Sequence, residues 1–545
     1  MACQPPRLVA TEWSKQLHAK GKPFLVLGGE LQNSSLTSSE YMDTIWQKMK
    51  DTNINTLLGC VTWEDIEPEE GVFNFSELDK VILGISSYTP AWVKKDIKRF
   101  PRAILRKEGG VLETSHTLSV FYTEAVKADA KAFSTLMAHL KEFDEAHSTV
   151  LMVQVENETG LLGDYRDGSE AAEKSFNSAV PQDLLEFLSS DYENLHVDMK
   201  ALNLTDFNQE APKGRTWTEV FGTNAPRVGE LFQAYHYAKF LDEVAAAGKA
   251  AYDIPLYTNV WMNCVDLDSS ANLIASPVGG GGLPGAYPSG GAVSNVLDIW
   301  QKFAPHLDFI SPDIYLNDYT KTCARYRHRG QPLFIPEQRR DEYGVRRVWI
   351  AFGTYAAIGT APFGIDTLKP ETNPFTKHYG LLKSVSAIVL DAQRRPHSSV
   401  GFCFDELPTD FPATPDPSPI IVRNWGGFEV TIERCFVFGK PGTAAGMVIH
   451  RGGGKFLLIG WGFQVRAKAL SKASHYTGIL RFEEKIVEDV ETGKLRTGRV
   501  LNGDETRSGQ FGMVPNEDPD YGNFPICVTI PARTMIAEIE FYSLE

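Results

Sequence analysis

Val150-Leu151-Met152-Val153-Gln154-Val155-Glu156-Asn157-Glu158-Thr159-Gly160 passes from an unbroken apolar run into three polar residues and ends at a glycine. A short apolar run closed by turn chemistry reads as a strand buried on both faces, the kind found in parallel sheets. Carboxylates delivered to the end of such a strand need a reason. In a (β/α)8 barrel the reason is available, because the C-terminal strand ends line the active site. A polar rim or a buried ion pair would place charge there too. Strand alternation puts Gln154, Glu156 and Glu158 on one side and Val153, Val155 and Asn157 on the other, unless a bulge rotates the last pair.

Working outward, similar short runs occupy residues 24–27, 55–61, 255–260, 308–311, 333–336 and 357–362, with amphipathic helical stretches at 41–49, 118–143 and 231–247. Alternating strand and helix signals predict parallel βα units and a (β/α)8 TIM barrel. With residues 150–155 the strands number seven, where closure needs eight. The shortfall follows residues 75–83, a helix start that turns at Gly84 into Gly, Ser and Pro punctuation. Only residues 80–85 are left to serve as a third strand. Beyond about Arg395, period-two or short apolar runs at 455–465, 479–482, 486–490 and 526–530 predict a C-terminal antiparallel β-sandwich. Glu491-Thr492-Gly493-Lys494 is its plausible hairpin turn. The expected division is 1–395 for the barrel and 396–545 for the accessory domain.

The chain has 545 residues, 43% hydrophobic and 23% charged, with a formal net charge of −15. That composition is globular, and the acidic balance disfavours nucleic acid and anionic membranes as partners. No apolar core of signal-peptide type stands near the N-terminus and no run reaches the ~18 apolar residues of a membrane span, which predicts a cytoplasmic protein. The seven cysteines lack CxxC spacing and read as thiols rather than as zinc ligands or a disulfide framework. The acidic run 516–520 lacks calcium-ligand spacing and reads as a solvated loop. The glycine-rich stretch 278–291 lacks the ending of a phosphate loop and reads as a cap over the site.

A second apolar strand, Leu333-Phe334-Ile335-Pro336-Glu337, also delivers a carboxylate. Two carboxylates from different strands of one barrel suit glycoside hydrolysis, with one protonating the leaving oxygen and the other attacking or activating water. Trp63, Trp261 and Phe363 stand at strand ends, where a pyranose ring could stack, although each could equally be core.

Thr62-Trp63-Glu64-Asp65-Ile66-Glu67-Pro68-Glu69-Glu70-Gly71-Val72-Phe73-Asn74-Phe75, residues 153–160 and Phe334 to Glu337 together make the chain resemble family-35 glycoside hydrolases. The resemblance covers nearly the whole length and is closest to a compact microbial β-galactosidase-like subgroup with one C-terminal β-domain. It implies a retaining exo-β-galactosidase with Glu158 as general acid/base and Glu337 as nucleophile. It also implies that Asn157 binds the sugar 2-hydroxyl, that Tyr315 hydrogen-bonds the nucleophile, and that Glu67 lies in a sugar-contacting loop. Burial and the neighbouring carboxylate should raise Glu158 above the ordinary carboxylate range. No metal or cofactor is implied, since two carboxylates suffice; a carbohydrate is the expected partner, and subunit number is not legible. Relatives of this kind carry a further stretch, including the third strand, where this chain joins at about Gly84-Ile85. Its loss predicts a chain that is poorly active or unstable unless residues 80–85 are recruited as the strand. Another β-glycosidase or a carbohydrate-binding pseudoenzyme are therefore the alternatives.

Overall fold

The computed structural model describes residues 4–81, 89–209, 213–264, 281–437, 441–516 and 529–545. The join at Gly84-Ile85, the start of the glycine-rich stretch (278–280), the acidic residues 517–520, the strand start 526–528, Cys3 and Cys527 lie outside them. Lys80 and Val81, two residues of the candidate third strand, close the helix Ser76–Val81 instead.

All seven expected strands form. They are β1 (Val26–Glu30), β2 (Thr56–Leu58), β3 (Val153–Gln154), β4 (Leu256–Trp261), β5 (Phe309–Asp313), β6 (Phe334–Gln338) and β7 (Gly359–Pro362). Every pairing among them is parallel, in the orders β6-β7-β1-β2 and β5-β4-β3. A parallel bridge between Ile314 and Gln338, with the Ile314 amide donating to the Glu337 carbonyl at 2.9 Å, joins the two groups at β5 and β6. The result is a curled run from β2 through β1, β7, β6, β5 and β4 to β3. Among the described residues no strand pairs with the outer edge of β2 or of β3, so the eight-stranded closure is not formed there. One cavity of about 220 Å³ is lined from both edges, by Thr56 to Cys60 on one side and by Leu151, Met152 and Gln154 on the other.

Outside the strands, α1 (Thr123–Asp144) and α2 (Ala225–Ala251) pack on one another. Phe133, Leu136, Met137 and Leu140 form the buried stripe of α1, spaced at three and four residues as an amphipathic helix requires. Gly248 of α2 lies against the Phe133 ring, where a Cβ would collide. Asn224 caps α2 by accepting from the Arg227 amide. The helix expected at 41–49 is divided into Ser39–Asp43 and Trp46–Asp51. No helix among the described residues is long and apolar enough to cross a membrane.

The C-terminal region holds β8 (Ser399–Phe404), β9 (Ile421–Trp425), β10 (Phe428–Arg434), β11 (Ala444–Gly452), β12 (Lys455–Trp461), β13 (Phe463–Ala469), β14 (Tyr476–Asp489), β15 (Lys494–Val500), β16 (Gly512–Val514) and β17 (Ile536–Leu544). They form two antiparallel sheets, β8-β11-β12-β17-β14-β15 and β9-β10-β13-β16, which bury Phe402, Phe456 and Phe482 of one against Val430, Phe463 and Val465 of the other. The run 455–465 divides at Gly462, whose positive φ of 79° turns the chain from one sheet into the other. The runs 479–482 and 486–490 are one strand, β14, and Gly493, with φ 68°, occupies the turn that leads into β15.

The two regions meet where β8 crosses α3 (Glu342–Thr354). Gly401 lies so close to α3 that a Cβ would run into the Trp349 carbonyl. Backbone atoms cannot swing aside as side-chain ends can, so Gly401→Val is expected to cost about 1–3 kcal/mol or more of stability. A thermal midpoint equal to that of the parent chain would overturn this account of the junction.

Candidate active site

Residues at or just past the ends of all seven strands converge on one cavity system. β3 stops at Gln154, and Glu156 (φ 59°) and Glu158 (φ 45°) both take left-handed backbone conformations. Non-glycine residues in this region carry strain and concentrate at functional sites. The double turn overrides strand alternation. Glu156 lines a small cavity of about 30 Å³ with Trp63, Asp129 and Phe133, whereas Asn157 and Glu158 enter the central cavity together.

Glu337 of β6 is 9% exposed and lines the same cavity. One carboxyl oxygen each of Glu158, Asp313 and Glu337 lie within 4.8 Å of one another. Tyr315, just past β5, donates its hydroxyl to Glu337 Oε2 at 2.7 Å. Asn259 Nδ2, on β4, lies 3.1 Å from Glu337 Oε1, 2.9 Å from Asp313 Oδ2 and 2.8 Å from Asn157 Oδ1. Its Oδ1 accepts from the Glu158 backbone amide at 2.8 Å. Glu30, at the end of β1, completes the acidic group, and its Oε2 is buried without a hydrogen-bond partner.

Among the described residues lining this cavity or the adjoining one, none is Lys, Arg or His. Burial, and then the facing Glu158, push Glu337 up to about 8, against the opposing pull of the Tyr315 and Asn259 hydrogen bonds. Burial raises Glu158, as expected, while a hydrogen bond with Asp313 draws it back. Asp313 and Glu30 are raised well above the carboxylate range by burial and by their acidic neighbours.

The adjoining cavity, about 230 Å³, is lined by Trp261, Met262, Asp313, Tyr315, Phe363 and both catalytic candidates. Trp261 stands there half-buried with its Nε1 unpartnered. Two expected sugar contacts are corrected. Trp63 opens the short helix Trp63–Ile66 and donates its Nε1 to Glu67 Oε2 at 2.7 Å, and Glu67 Oε1 accepts from the Gly71 amide at 2.7 Å. Both side chains are buried and neither lines the cavities of Glu158 and Glu337. Their chemistry is spent on holding the loop after β2. Asn259, Asp313 and Glu30 were not foreseen, although each is a polar residue near the C-terminal end of an apolar strand, the signal that found Glu158.

Residues 33–268 match the family model described as beta-galactosidase, glycoside hydrolase family 42. Over that segment the chain is β-galactosidase-like. The model that matches is one of family 42 and not of family 35; its segment includes Asn157, Glu158, Asn259 and Trp261, while Asp313, Tyr315 and Glu337 lie beyond it. Residues 375–513 match a domain of unknown function, DUF5597. No curated protein matches the chain. Among solved structures, it is similar to a β-galactosidase from Bacillus circulans sp. alkalophilus, at 17% identity over 68% of this chain and 57% of that one, with a TM-score of 0.43. A catalytic mutant of a GH42 β-galactosidase from G. stearothermophilus aligns at 13% identity over 95% and 98%, with a TM-score of 0.42. The catalytic domain of a β-amylase from Paenibacillus polymyxa aligns at 12% over 65% and 97%, with a TM-score of 0.43. The chain thus spans less than two thirds of the B. circulans enzyme.

Two outcomes follow from the electrostatics. Tyr315→Phe removes a donor that favours the charged form of Glu337, so the acidic limb of the pH-rate profile should move to higher pH; an unmoved limb would count against the contact. Glu337 is raised in the fold, so the stability it contributes is complete below its unfolded value of about 4.3 and is lost as pH rises through about 8. Glu337→Gln, always neutral, should therefore melt above the parent chain at pH 8, with the gap closing towards pH 4.

Proposed function

We propose that this protein is a retaining exo-β-galactosidase, with residues 1–395 as its catalytic unit and residues 396–545 as an accessory β-domain. One observation carries the mechanism: carboxyl oxygens of Glu158 and Glu337 lie within 4.8 Å of each other in a shared cavity. Retaining glycosidases hold their two carboxyls ~5–5.5 Å apart, while inverting enzymes leave ~6.5–9.5 Å for a water. The family-42 match over residues 33–268 supports galactose as the sugar.

In the first half-reaction Glu337 attacks the anomeric carbon and Glu158 gives its proton to the departing glycosidic oxygen, leaving a glycosyl ester on Glu337. In the second, Glu158 takes a proton from water, whose oxygen bonds to the anomeric carbon as the ester breaks. Tyr315 and Asn259 donate to the two Glu337 oxygens and favour the ionised nucleophile. Asn157, exposed beside Glu158, is assigned to the 2-hydroxyl, and Trp261 with Phe363 to the sugar face. That no strand among the described residues pairs with the outer edges of β2 and β3 favours a second reading, a galactoside-binding pseudoenzyme that has lost a wall of its site.

Proton NMR of the first-formed product from an aryl β-galactoside separates the readings. The β-anomer is expected, Glu337→Ala should abolish turnover, and Glu158→Ala should cost on the order of 10²–10⁴-fold on leaving groups that need a proton. Azide should restore turnover to Glu158→Ala by giving a β-galactosyl azide. The α-anomer as first product would refute the double displacement, and galactoside binding without hydrolysis would favour the pseudoenzyme.

A further inference from the structure

Asp313, the last residue of β5, is 2% exposed and brings a carboxyl oxygen within 4.8 Å of one from each catalytic candidate. Its Oδ2 accepts from Asn259 Nδ2 at 2.9 Å, while its Oδ1 is buried and accepts from no donor. The titratable groups that face it are Glu30 at the end of β1, Glu158 after β3, Tyr257 on β4, Tyr315 after β5, Tyr326 and Glu337 on β6. None of them is a cation. Three ionised carboxyls at this separation, away from water, would repel strongly, and an unpaired buried charge neutralises by taking a proton. Asp313 is the most enclosed of the three, and Oδ1 is the atom left open for a proton. Its ionisation is suppressed by burial and by Glu337 and Glu158, and its hydrogen bond to Glu158 acts in the opposite sense on that group.

We propose that Asp313 is a neutral carboxylic acid whose Oδ1–H donates to the Glu158 carboxylate, making it the residue that positions and tunes the acid/base. The proposal rests on the assignment of Glu158 given above. When Glu158 passes its proton to the departing oxygen, its new carboxylate accepts the Asp313 hydrogen bond. When water later gives a proton to Glu158, that bond lengthens. Asp313 keeps its own proton throughout, so no charge is created or lost at this residue. A donor to the charged form lowers the pKa of Glu158, keeping it both a usable acid and a usable base.

The full-length chain with Asp313→Asn or Asp313→Ala tests this. An asparagine amide can donate to Glu158 while its oxygen accepts from Asn259, so Asp313→Asn should keep the wild-type pH profile. Asp313→Ala should move the alkaline limb up by about one pH unit, the equivalent of one hydrogen bond to a charged group. The proposal is overturned if Asp313→Asn is as impaired as Asp313→Ala, or if the alkaline limb stays in place in Asp313→Ala. Infrared difference spectra between the parent chain and Asp313→Asn at neutral pH provide a readout without turnover. The carbonyl stretch of a neutral carboxylic acid should be present in the parent and lost in the variant; if it is missing from the parent, Asp313 is ionised and the proposal fails. A parent chain that shows this band yet hydrolyses no glycoside would instead refute the enzymatic reading and leave the protonation state of Asp313 established.

Discussion

The geometry of this site depends on one buried side-chain amide. Asn259 is 2% exposed on β4 and reaches Asn157, Asp313 and Glu337 with its nitrogen and the Glu158 backbone with its oxygen. Two hydrogens are shared among three acceptors, so the acceptors are held in a narrow wedge around Nδ2. The Glu158 amide contact also anchors a backbone turn that no strand ladder supports, since β3 ends at Gln154. Asn259 thereby couples the strain at Glu158 to the position of Glu337, two features that are 179 positions apart in the chain.

Four carboxyls, Glu30, Glu158, Asp313 and Glu337, line the cavities around that wedge, with no basic side chain among the described residues of the cavity walls. Such a group is tolerable only if most of its members hold protons or accept hydrogen bonds from fixed dipoles. Glu337 has two donors, Tyr315 and Asn259, and is the member best equipped to carry charge. Asp313 and Glu30 each keep a buried oxygen that accepts from no donor and are the least equipped. The division of labour in the proposed double displacement, one ionised nucleophile beside one protonated acid, would follow from this inequality of donors more than from the identity of the residues. The same crowding costs stability at neutral pH, as is common where catalytic groups are held close together.

Much of this was legible in the chain itself. The seven parallel strands, the β-rich C-terminal region and the meeting of Glu158 with Glu337 follow from apolar runs and from where they end. Glu30 and Asp313 were missed because the first strand was ended at residue 27 and the fifth at 311, two or three residues short of where backbone pairing stops. Pairing across a sheet extends strands beyond the apolar positions that mark them, and one sequence does not show that. Trp63 and Glu67 misled for another reason. A tryptophan and a carboxylate four residues apart on a short helix satisfy one another, and a pattern suited to sugar contact became an internal hydrogen bond.

The open side between β2 and β3 bears on substrate more than on chemistry. β3 is held wholly from the β4 side, by pairing of Val153 with Leu256 and Gln154 with Tyr257 and by the Val155 amide on the Tyr257 carbonyl at 2.7 Å. Glu337, Asp313, Tyr315 and Asn259 belong to β4, β5 and β6 or follow them directly, and β6 continues through β7 to β1 without interruption. None of these supports crosses from β3 to β2, so Glu158 and Glu337 stay in register without an eighth strand among the described residues. The cavity does cross it, with Thr56 to Cys60 facing Leu151 and Met152 where another strand would fill the wall. A sugar bound at Glu337 would therefore meet side chains that β4, β5 and β6 hold on one side and the edges of β2 and β3 on the other.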